Sequence, residues 1–244
     1  TEFLPGLKSA AAKCPALNYL WVTDATAPDA ATRRFNELRL PVTEPWPADP
    51  AEEGETAAIL YTSGTTGFPK GVMLTHGNLL SNAESSIKRM KLCRNDVGLC
   101  ILPMFHSFCW IIILIALRLN LTTVVFANIA PAKPWLKAMG RRRVTLFAGV
   151  PQLYAALARE AKDLKTRLFL RWWAFRKVKI AVSGAAPLAP AVANAFLDAT
   201  GVGICEGYGL TETSPVMTIN PLSDRRFGTV GPPIDGVTLR IVDD

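Results

Sequence analysis

A short segment rich in glycine and hydroxyl side chains carries the clearest chemical signal in the sequence. Residues 61–71 read Tyr-Thr-Ser-Gly-Thr-Thr-Gly-Phe-Pro-Lys-Gly, and they follow an apolar run at residues 56–60 that predicts a buried strand. Glycines let backbone N–H groups approach a ligand closely, and hydroxyls together with one lysine complete a set of donors that suits a polyphosphate. The candidate phosphate-binding residues are Thr62, Ser63, Gly64, Thr65, Thr66, Gly67 and Lys70.

The spacing within this glycine-rich segment is not that of a Walker A loop. That motif, G-x-x-x-x-G-K-[ST], requires a glycine five positions after the first glycine, immediately before the lysine. Here Pro69 stands at that position and Gly71 follows the lysine. The P-loop nucleoside triphosphatases are therefore excluded, and a surface turn rich in serine, threonine and glycine remains the simpler alternative.

A second candidate segment, residues 206–213, reads Glu-Gly-Tyr-Gly-Leu-Thr-Glu-Thr. Two glycines flank Tyr208, so backbone can come close to whatever the ring covers, and the ring can stack on a purine. Thr211 can donate to a phosphate, and Glu212 offers a carboxylate of the kind that Mg²⁺ prefers. The simpler alternative is a turn with a capping residue.

Both segments resemble motifs of the adenylate-forming superfamily, which includes acyl-CoA synthetases, luciferases and the adenylation domains of peptide synthetases. Residues 61–71 resemble its signature loop, and residues 206–213 resemble its Y-G-x-T-E motif. The resemblance implies that Tyr208 stacks against adenine, that Thr211 contacts the α-phosphate and acts in catalysis, and that Glu212 binds the metal and acts with it. The remaining ATP-binding residues that it implies in the second segment are Glu206, Gly207 and Gly209.

Two further segments resemble parts of the same family. Residues 183–187, Ser-Gly-Ala-Ala-Pro, resemble the segment that lies against adenine, which implicates Gly184 and Ala185; a simple strand-to-helix turn is compatible with the same backbone. His106 follows Pro-Met-Phe and resembles an aromatic-and-histidine element beside the carboxylate and acyl pocket, which makes it a candidate catalytic residue. A structural role is the alternative for His106 and the favoured interpretation for His76.

The resemblance implies a reaction in two halves. A carboxylate attacks the α-phosphorus of ATP to give acyl-AMP and pyrophosphate, and a thiol, usually that of CoA, then takes the acyl group. ATP, Mg²⁺, CoA and a small carboxylate are the implied ligands. The resemblance of residues 103–106 and 149–153 to the corresponding segments of fatty acid–CoA ligases favours a fatty acid as the carboxylate. The alternative is a non-catalytic nucleotide-binding or assembly module that a partner chain completes.

The resemblance covers the middle part of the family's fold. Residues 1–50 are expected to end a preceding sheet layer and form an acidic, proline-rich connection, residues 51–235 to form the nucleotide-binding core, and residues 236–244 to begin a truncated β subdomain. The family's T-G-D motif does not occur in the 244 residues, and its C-terminal lid domain has no counterpart here. Weak nucleotide binding and little adenylation by this chain alone are therefore expected.

The order of strands and helices predicts an α/β fold with a parallel, doubly wound sheet and flanking helices, the truncated N-terminal domain of an adenylate-forming enzyme. Ligands bind beyond the carboxyl ends of the strands in such sheets, and each candidate segment follows a strand. The predicted strands span residues 18–22, 56–60, 97–102, 122–126, 144–147, 178–182, 203–205 and 237–242. Helices are predicted near residues 30–38, 79–90, 108–117, 135–139, 151–161, 165–175 and 188–198.

Composition and charge limit the classes of partner that the chain is expected to bind. Half of the residues are hydrophobic and the formal charge is +7, with basic clusters at residues 141–143 and 162–179. Nucleotides, CoA or a membrane surface could match this charge, whereas nucleic acid is not expected, and a solvated basic face is the simpler interpretation. Five cysteines without a C-x-x-C pair predict reduced thiols in a cytoplasmic protein. Aromatic residues near the second basic cluster fit either a patch that contacts a membrane or the apolar side of a core helix: Phe169, Trp172, Trp173 and Phe175.

Overall fold

The computed structural model describes residues 51–62 and 68–242 and a few positions before them: 5, 8–9, 12–14, 20–22 and 32–34. The chain divides into two compact units, residues 1–50 and 51–244. In the first unit, Leu20–Val22 (β1) and Thr32–Arg34 (β2) form a short parallel pair. β1 lies within a predicted strand, whereas β2 lies where the sequence predicted helix, because pairing with β1 overrides the weak local preference of Thr-Arg-Arg. The connection expected over residues 41–50 lies outside the described residues.

The second unit begins with a two-stranded antiparallel hairpin. Thr56–Thr62 (β3) pairs with Lys70–Thr75 (β4), and Thr62 lies opposite Lys70. The sequence predicted β3 as a buried strand, which is wrong: none of its residues is buried, because the hairpin is separate from the main sheet and one of its faces, with Ile59 and Tyr61, is exposed. β4 was not among the predicted strands.

A six-stranded sheet forms the centre of this unit, in the order β10-β9-β8-β7-β5-β6. Five strands of this sheet, β5 to β9, run parallel, and β10 runs antiparallel to β9. The predicted α/β fold is therefore confirmed, with a sheet that is mostly parallel. The strands are Val97–Cys100 (β5), Thr122–Val125 (β6), Leu146–Gly149 (β7), Ile180–Ser183 (β8), Ile204–Gly209 (β9) and Val216–Ile219 (β10).

Helices cover both faces of the sheet. Side chains alternate along each strand, so that Phe147 of β7 packs in one apolar cluster while its neighbours Leu146 and Ala148 pack in the other. The first two helices line the Leu146 side and the remaining ones the Phe147 side. The helices are His76–Met90 (α1), Ser107–Leu119 (α2), Ala132–Arg142 (α3), Pro151–Glu160 (α4), Leu164–Phe169 (α5), which continues as a π-helical turn at Leu170–Ala174, and Pro190–Thr200 (α6).

Interlocked aromatic rings fill the core on the Phe147 side. The centre of the Phe147 ring lies 5.6 Å from that of Tyr154 and 5.2 Å from that of Phe175, and both pairs meet edge to face. Phe196 of α6 contacts Tyr154 and Phe175 in the same way. Edge-to-face packing is favourable beyond the area that it buries, so these rings fix α4 and α6 on the sheet.

Two predictions for the last third of the chain are wrong. The sequence predicted a strand at 203–205 and a loop at 208–214, but β9 runs to Gly209, and β10 follows where no strand was predicted. Residues 237–242 form no strand, and Ile241 is 89% exposed. Alternating apolar residues there have no neighbouring strand to pair with among the described residues, and an unpaired strand is not stable in water.

The apolar helix α2 has 13 residues. Across the described ranges, no helix combines the length and hydropathy that crossing a bilayer requires.

A polar cluster fastens the amino-terminal ends of three parallel strands. Asp96, just before β5, accepts hydrogen bonds from the hydroxyl of Thr145 (2.8 Å), the ammonium group of Lys179 (3.0 Å) and the backbone N–H of Cys93 (3.0 Å). Burial opposes the charged form of this carboxyl, but the three donors prevail and hold the pKa of Asp96 below its ordinary value. The cluster lies at the edge of the sheet opposite to the carboxyl ends of the strands.

We expect Asp96→Asn to lower the free energy of unfolding at neutral pH by about 1–3 kcal/mol, because the amide loses the charge-assisted hydrogen bonds. A lowered pKa stabilises the fold above the ordinary value of 3.8 and ceases to do so as the pH falls through the lower folded pKa. Urea denaturation should therefore show a constant difference from the unmodified chain at pH 5–8, shrinking below pH ~4. Asp224→Asn, at an exposed ion pair, is the matched control and should change little.

Candidate functional site

A cleft lies at the carboxyl ends of the central strands, as parallel sheets favour. Its volume is about 70 Å³, and it is open to solvent. Its walls come from the start of α2, the turn after β8, the end of β9 and the start of β10. The lining residues are His106, Ser107, Phe108, Val182, Ser183, Gly184, Ala185, Gly207, Tyr208, Gly209, Pro215, Val216 and Ile219. Six of the predicted site residues thus share one cleft, namely His106, Gly184, Ala185, Gly207, Tyr208 and Gly209.

A wider hollow of about 750 Å³ adjoins this cleft. It is lined by residues 185–190, residues 206–210, Gly228 and Val230, so the two spaces share Ala185 and the end of β9. Tyr208 lines both and is 44% exposed. Its ring can therefore lie along a flat ligand that extends from one space into the other.

The turn after β8 is held in an unusual conformation. Ala185 has φ 69°, a left-handed backbone conformation that costs a residue with a Cβ atom about 1 kcal/mol or more. The backbone N–H of Leu188 donates to Oε1 of Glu206 at 2.9 Å, and this carboxylate is buried. Glu206, predicted to bind ATP, therefore fixes the turn that lines the cleft, and it also lines the wider hollow itself.

One buried hydroxyl in the cleft wall has no protein partner. Oγ of Ser183 is buried, and the described residues offer it no hydrogen bond. Buried polar atoms in folded proteins are nearly always paired, so an unpaired hydroxyl in the wall of a cleft fits a polar ligand. This observation, with the adjacent Tyr208 ring and the small side chains of the turn, fits a base such as adenine.

The glycines of the 206–213 segment are explained by strand packing. A Cβ atom on Gly209 would lie 1.7 Å from the carbonyl oxygen of Pro215, and one on Gly207 would lie 2.9 Å from that of Thr218. Both oxygens belong to the segment that pairs with β9. Glycine is therefore needed for β10 to approach β9, which places Pro215 and Val216 in the wall of the cleft.

The side chain of Asn82 ties α1 to the segment between the 206–213 motif and β10. Its amide nitrogen donates to the carbonyls of Thr213 (3.3 Å) and Val216 (2.7 Å), and its oxygen accepts from the N–H of Val216 (3.2 Å). Asn82 is buried, so these bonds are shielded from water. The helix that follows the glycine-rich segment is thereby fastened to the motif that carries Thr211 and Glu212.

Thr211 and Glu212 lie in a single 3₁₀ turn, Thr211–Thr213. Oγ1 of Thr211 lies 3.3 Å from Oγ of Ser107, the first residue of α2, and β4 contacts the same turn. The carboxylate of Glu212 is exposed, and among the described residues no group of three metal-binding side chains occurs. A single free carboxylate fits Mg²⁺ that is carried by a nucleotide, because such ions take one or two carboxylates plus phosphate oxygens.

His106 is the N-cap of α2. Its Nδ1 accepts a hydrogen bond from the backbone N–H of Phe108 at 3.1 Å, so in the neutral ring the proton is on Nε2. The side chain is exposed and lines the cleft. His106 can therefore cap the helix through Nδ1 and, at the same time, donate a hydrogen bond to a ligand from Nε2. His76, for which a structural role was favoured, is the first residue of α1.

The structure places only the two ends of the glycine-rich segment. Thr62 and Lys70 are paired at the end of the β3–β4 hairpin, and Lys70 is exposed. Ser63, Gly64, Thr65, Thr66 and Gly67 lie outside the described residues. The phosphate-binding role of this segment therefore stays a prediction.

An apolar cavity behind the cleft was not predicted. It has a volume of about 50 Å³ between α1, α2 and the sheet, and it shares Phe108, Val182, Val216 and Ile219 with the cleft. Apart from Ser86, its remaining lining residues are apolar: Met90, Leu92, Ile111, Ile112, Ile115, Leu146 and Ala148. Five separated segments form this lining, which no single motif in the sequence reveals.

The chain matches the family model of AMP-binding enzymes over residues 4–244. It therefore belongs to this family, as its resemblance to adenylate-forming enzymes indicated.

Among curated relatives, the mitochondrial malonate–CoA ligase ACSF3 of Homo sapiens is 33% identical over 215 residues, which cover 83% of this chain and 37% of that protein. The long-chain-fatty-acid–CoA ligase of Haemophilus influenzae is 30% identical over 199 residues, which cover 78% of this chain and 34% of that protein. The chain thus spans about a third of the length of these relatives, and they act on two different kinds of carboxylate.

Solved structures are similar over the same core. ATP-bound MatB from Rhodopseudomonas palustris matches with a TM-score of 0.68 at 33% identity, covering 79% of this chain and 36% of that one. The anthranilate–CoA ligase AuaEII, solved with anthranoyl-AMP, matches with a TM-score of 0.84 at 25% identity, covering all (100%) of this chain and 45% of that one.

We expect Asn82→Leu to lower the free energy of unfolding by about 2–4 kcal/mol, because it leaves the N–H and carbonyl of Val216 and the carbonyl of Thr213 without partners in a buried setting. Hydrogen exchange should speed up at residues 213–216 more than elsewhere. Asn95→Ala, at an exposed turn, is the control. Unchanged exchange at residues 213–216 in a folded Asn82→Leu chain would show that the amide does not hold this segment.

Proposed function

We propose that this chain is the nucleotide-binding part of an ATP-dependent acyl-CoA ligase whose carboxylate substrate carries an apolar chain, as a fatty acid does. The observation that carries the proposal is the apolar cavity that shares four wall residues with the cleft lined by parts of the 183–187 and 206–213 segments. A nucleotide in the cleft would have its α-phosphate near the entrance to that cavity. The activated carboxylate and its chain could then occupy adjoining spaces.

The base of the nucleotide would lie between Tyr208 and the turn at Gly184 and Ala185. The tyrosine ring supplies stacking, and the small turn residues leave room for a flat ring. Oγ of Ser183 would gain the hydrogen-bond partner that it lacks within the described residues. Glu206, through its bond to Leu188, would keep the turn in place.

The phosphates would be held by the glycine-rich segment and by the 3₁₀ turn at Thr211–Thr213. Lys70 supplies a positive charge at the end of the hairpin, and the hydroxyl of Thr211 supplies a donor beside the start of α2. When bound with the nucleotide through Glu212, Mg²⁺ would supply further positive charge to the phosphates.

The carboxylate would be positioned by the amino-terminal end of α2. Unpaired N–H groups give this end of a helix a partial positive charge, which attracts an anion. His106 at the cap can donate from Nε2 to an oxygen of the carboxylate or phosphate. One carboxylate oxygen forms a bond to the α-phosphorus while the bond from that phosphorus to the bridging oxygen breaks, and pyrophosphate leaves with the electron pair. The main tasks of the site are therefore to neutralise repulsion and to orient the reactants.

The lining of the two spaces favours a carboxylate with an apolar chain over a dicarboxylate such as malonate. A second carboxylate needs a cation or several donors when it is taken out of water. Among the described residues that line the cleft and the apolar cavity, none is lysine or arginine, and His106 lies at the α2 end. Relatives of both kinds exist, so the choice between these substrates rests on this lining.

We expect the 244-residue chain to bind Mg-ATP, and Lys70→Ala to weaken binding about tenfold, because one charge-assisted contact to a phosphate is lost. Isothermal titration measures this directly. Glu212→Gln should remove most of the Mg²⁺ dependence and leave binding of AMP without metal nearly unchanged. Lys133→Ala, an exposed lysine on α3, is the matched control for charge. Equal affinity for Mg-ATP in Lys70→Ala and the unmodified chain would refute the assignment of the glycine-rich segment to phosphate binding.

Non-hydrolysable acyl-sulfamoyl-adenosines test the substrate class separately. We expect the decanoyl compound to bind at least about tenfold more tightly than the malonyl compound, because only the apolar chain gains from leaving water. Ile112→Asp, within the apolar cavity, should abolish this preference while the affinity for AMP is retained. Tighter binding of the malonyl compound would overturn the assignment to fatty acids but leave nucleotide binding intact.

A further inference from the structure

The face formed by α5 and the π-helical turn carries an exposed apolar stripe. Leu164, Leu168 and Trp172, spaced by four residues, are 67%, 49% and 69% exposed. On the opposite side, Leu170 and Ala174 are buried in the core. The helix therefore carries apolar side chains on its outer face as well as on its buried face. A surface helix usually has polar side chains on the outer face.

Basic side chains flank this stripe on both sides. Lys162, Lys165, Arg171 and Lys177 are exposed on the same segment. Nη2 of Arg167 and Nη1 of Arg171 donate to the carbonyl of Asp198, and both guanidinium groups keep their charge. The acidic residues nearby are Glu160 in the neighbouring groove, Asp163, whose carboxylate caps α5, and Asp198 at the end of α6.

The carboxyl end of α3 extends the basic surface. Nε1 of Trp173 donates to the carbonyl of Lys137, and Arg176 donates to the carbonyl of Gly140 while its guanidinium lies 5.1 Å from the centre of the Trp173 ring. The π-helical turn thus packs on α3 just before the exposed triplet Arg141, Arg142 and Arg143. The first basic cluster therefore follows directly on a helix that contacts the segment carrying the second.

A groove of about 670 Å³ lies between α3, α4 and α5 in this surface. Leu136, Leu157 and Phe169 form its apolar part, and Lys133, Lys137 and Lys165 carry positive charge around it. Glu160 is the acidic residue of the lining. An apolar groove with lysines at its edge suits an acyl chain with an anionic head group.

We infer that this surface, the Trp172 face, docks on a lipid bilayer that contains anionic head groups. We define it by the exposed apolar residues Leu164, Leu168 and Trp172 together with the basic residues Lys133, Lys137, Arg141, Arg142, Arg143, Lys165, Arg171 and Lys177. Tryptophan and leucine side chains enter the boundary between head groups and acyl chains, and lysine and arginine bind anionic lipids. Charge argues against a second copy as the occupant, because two such basic surfaces would repel each other.

Vesicle sedimentation with the full chain tests this inference without any substrate of the proposed ligase. We expect binding to vesicles of phosphatidylcholine and phosphatidylglycerol, much weaker binding to phosphatidylcholine alone, and loss of binding in high salt. The double variant Leu168→Ala, Trp172→Ala should lower the partition coefficient about tenfold or more, and Lys165→Gln should lower it about fivefold.

Two variants on other parts of the chain serve as matched controls. Leu117→Ala removes an exposed leucine from α2, on the opposite side of the sheet, and Arg94→Gln removes an exposed arginine before β5; neither should change vesicle binding. Circular dichroism establishes that each variant is folded. No binding to anionic vesicles, or binding that the Trp172 variant retains in full, overturns the inference. Sedimentation velocity showing self-association that this variant abolishes would identify a second copy as the occupant and equally overturn it.

Discussion

The buried amide of Asn82 is the contact on which the arrangement of the site depends. It joins α1, which follows the glycine-rich segment directly, to residues 213–216, which follow the motif with Tyr208 and Glu212. Further along α1, Lys88 pairs with Asp235 and Arg89 donates to the carbonyl of Pro233. These contacts connect parts of the chain more than 100 residues apart (131 to 147 positions). Two motifs that could serve one nucleotide are therefore held in one unit by a single helix.

The hydrogen bonds of Asp96, which stabilise the fold, and the groups that fit a ligand lie at opposite edges of the sheet. At the amino-terminal ends of β5, β7 and β8, the carboxylate of Asp96 accepts three hydrogen bonds, all from groups of the protein. At the carboxyl ends, Ser183 has a buried hydroxyl without a partner in the described part of the chain, and Ala185 adopts a left-handed conformation. Unsatisfied and strained groups are typical of binding sites, because a ligand can supply what the fold leaves unpaired.

The sequence predicted the architecture because its signals were local. Apolar runs and helical spacing located the five parallel strands of the main sheet to within a few residues, and motifs at strand ends predicted one common cleft. Where tertiary contacts decide, the sequence failed. Gly207 and Gly209 disfavour a strand locally, yet they lie in β9 because only glycine allows β10 to approach so closely. The alternation at residues 237–242 predicted a strand, but a strand needs a neighbour.

The apolar cavity and the Trp172 face differ in how far the sequence could reveal them. The cavity is assembled from α1, α2 and the sheet, and its residues look like ordinary core in each segment. The Trp172 face could be suspected from the mixture of tryptophan and basic residues in one stretch. Only the structure separates the exposed Leu164 and Trp172 from the buried Phe175, and only the structure brings α3 beside them.

We propose that one nucleotide occupies the cleft between the turn after β8 and the end of β9. A crystal structure of the chain grown with AMP and Mg²⁺ tests this proposal. We expect density for adenine against Tyr208 and the Gly184–Ala185 turn, with the phosphate directed to Thr211. Adenine bound elsewhere on the chain, with this cleft filled only by solvent, would contradict the proposal.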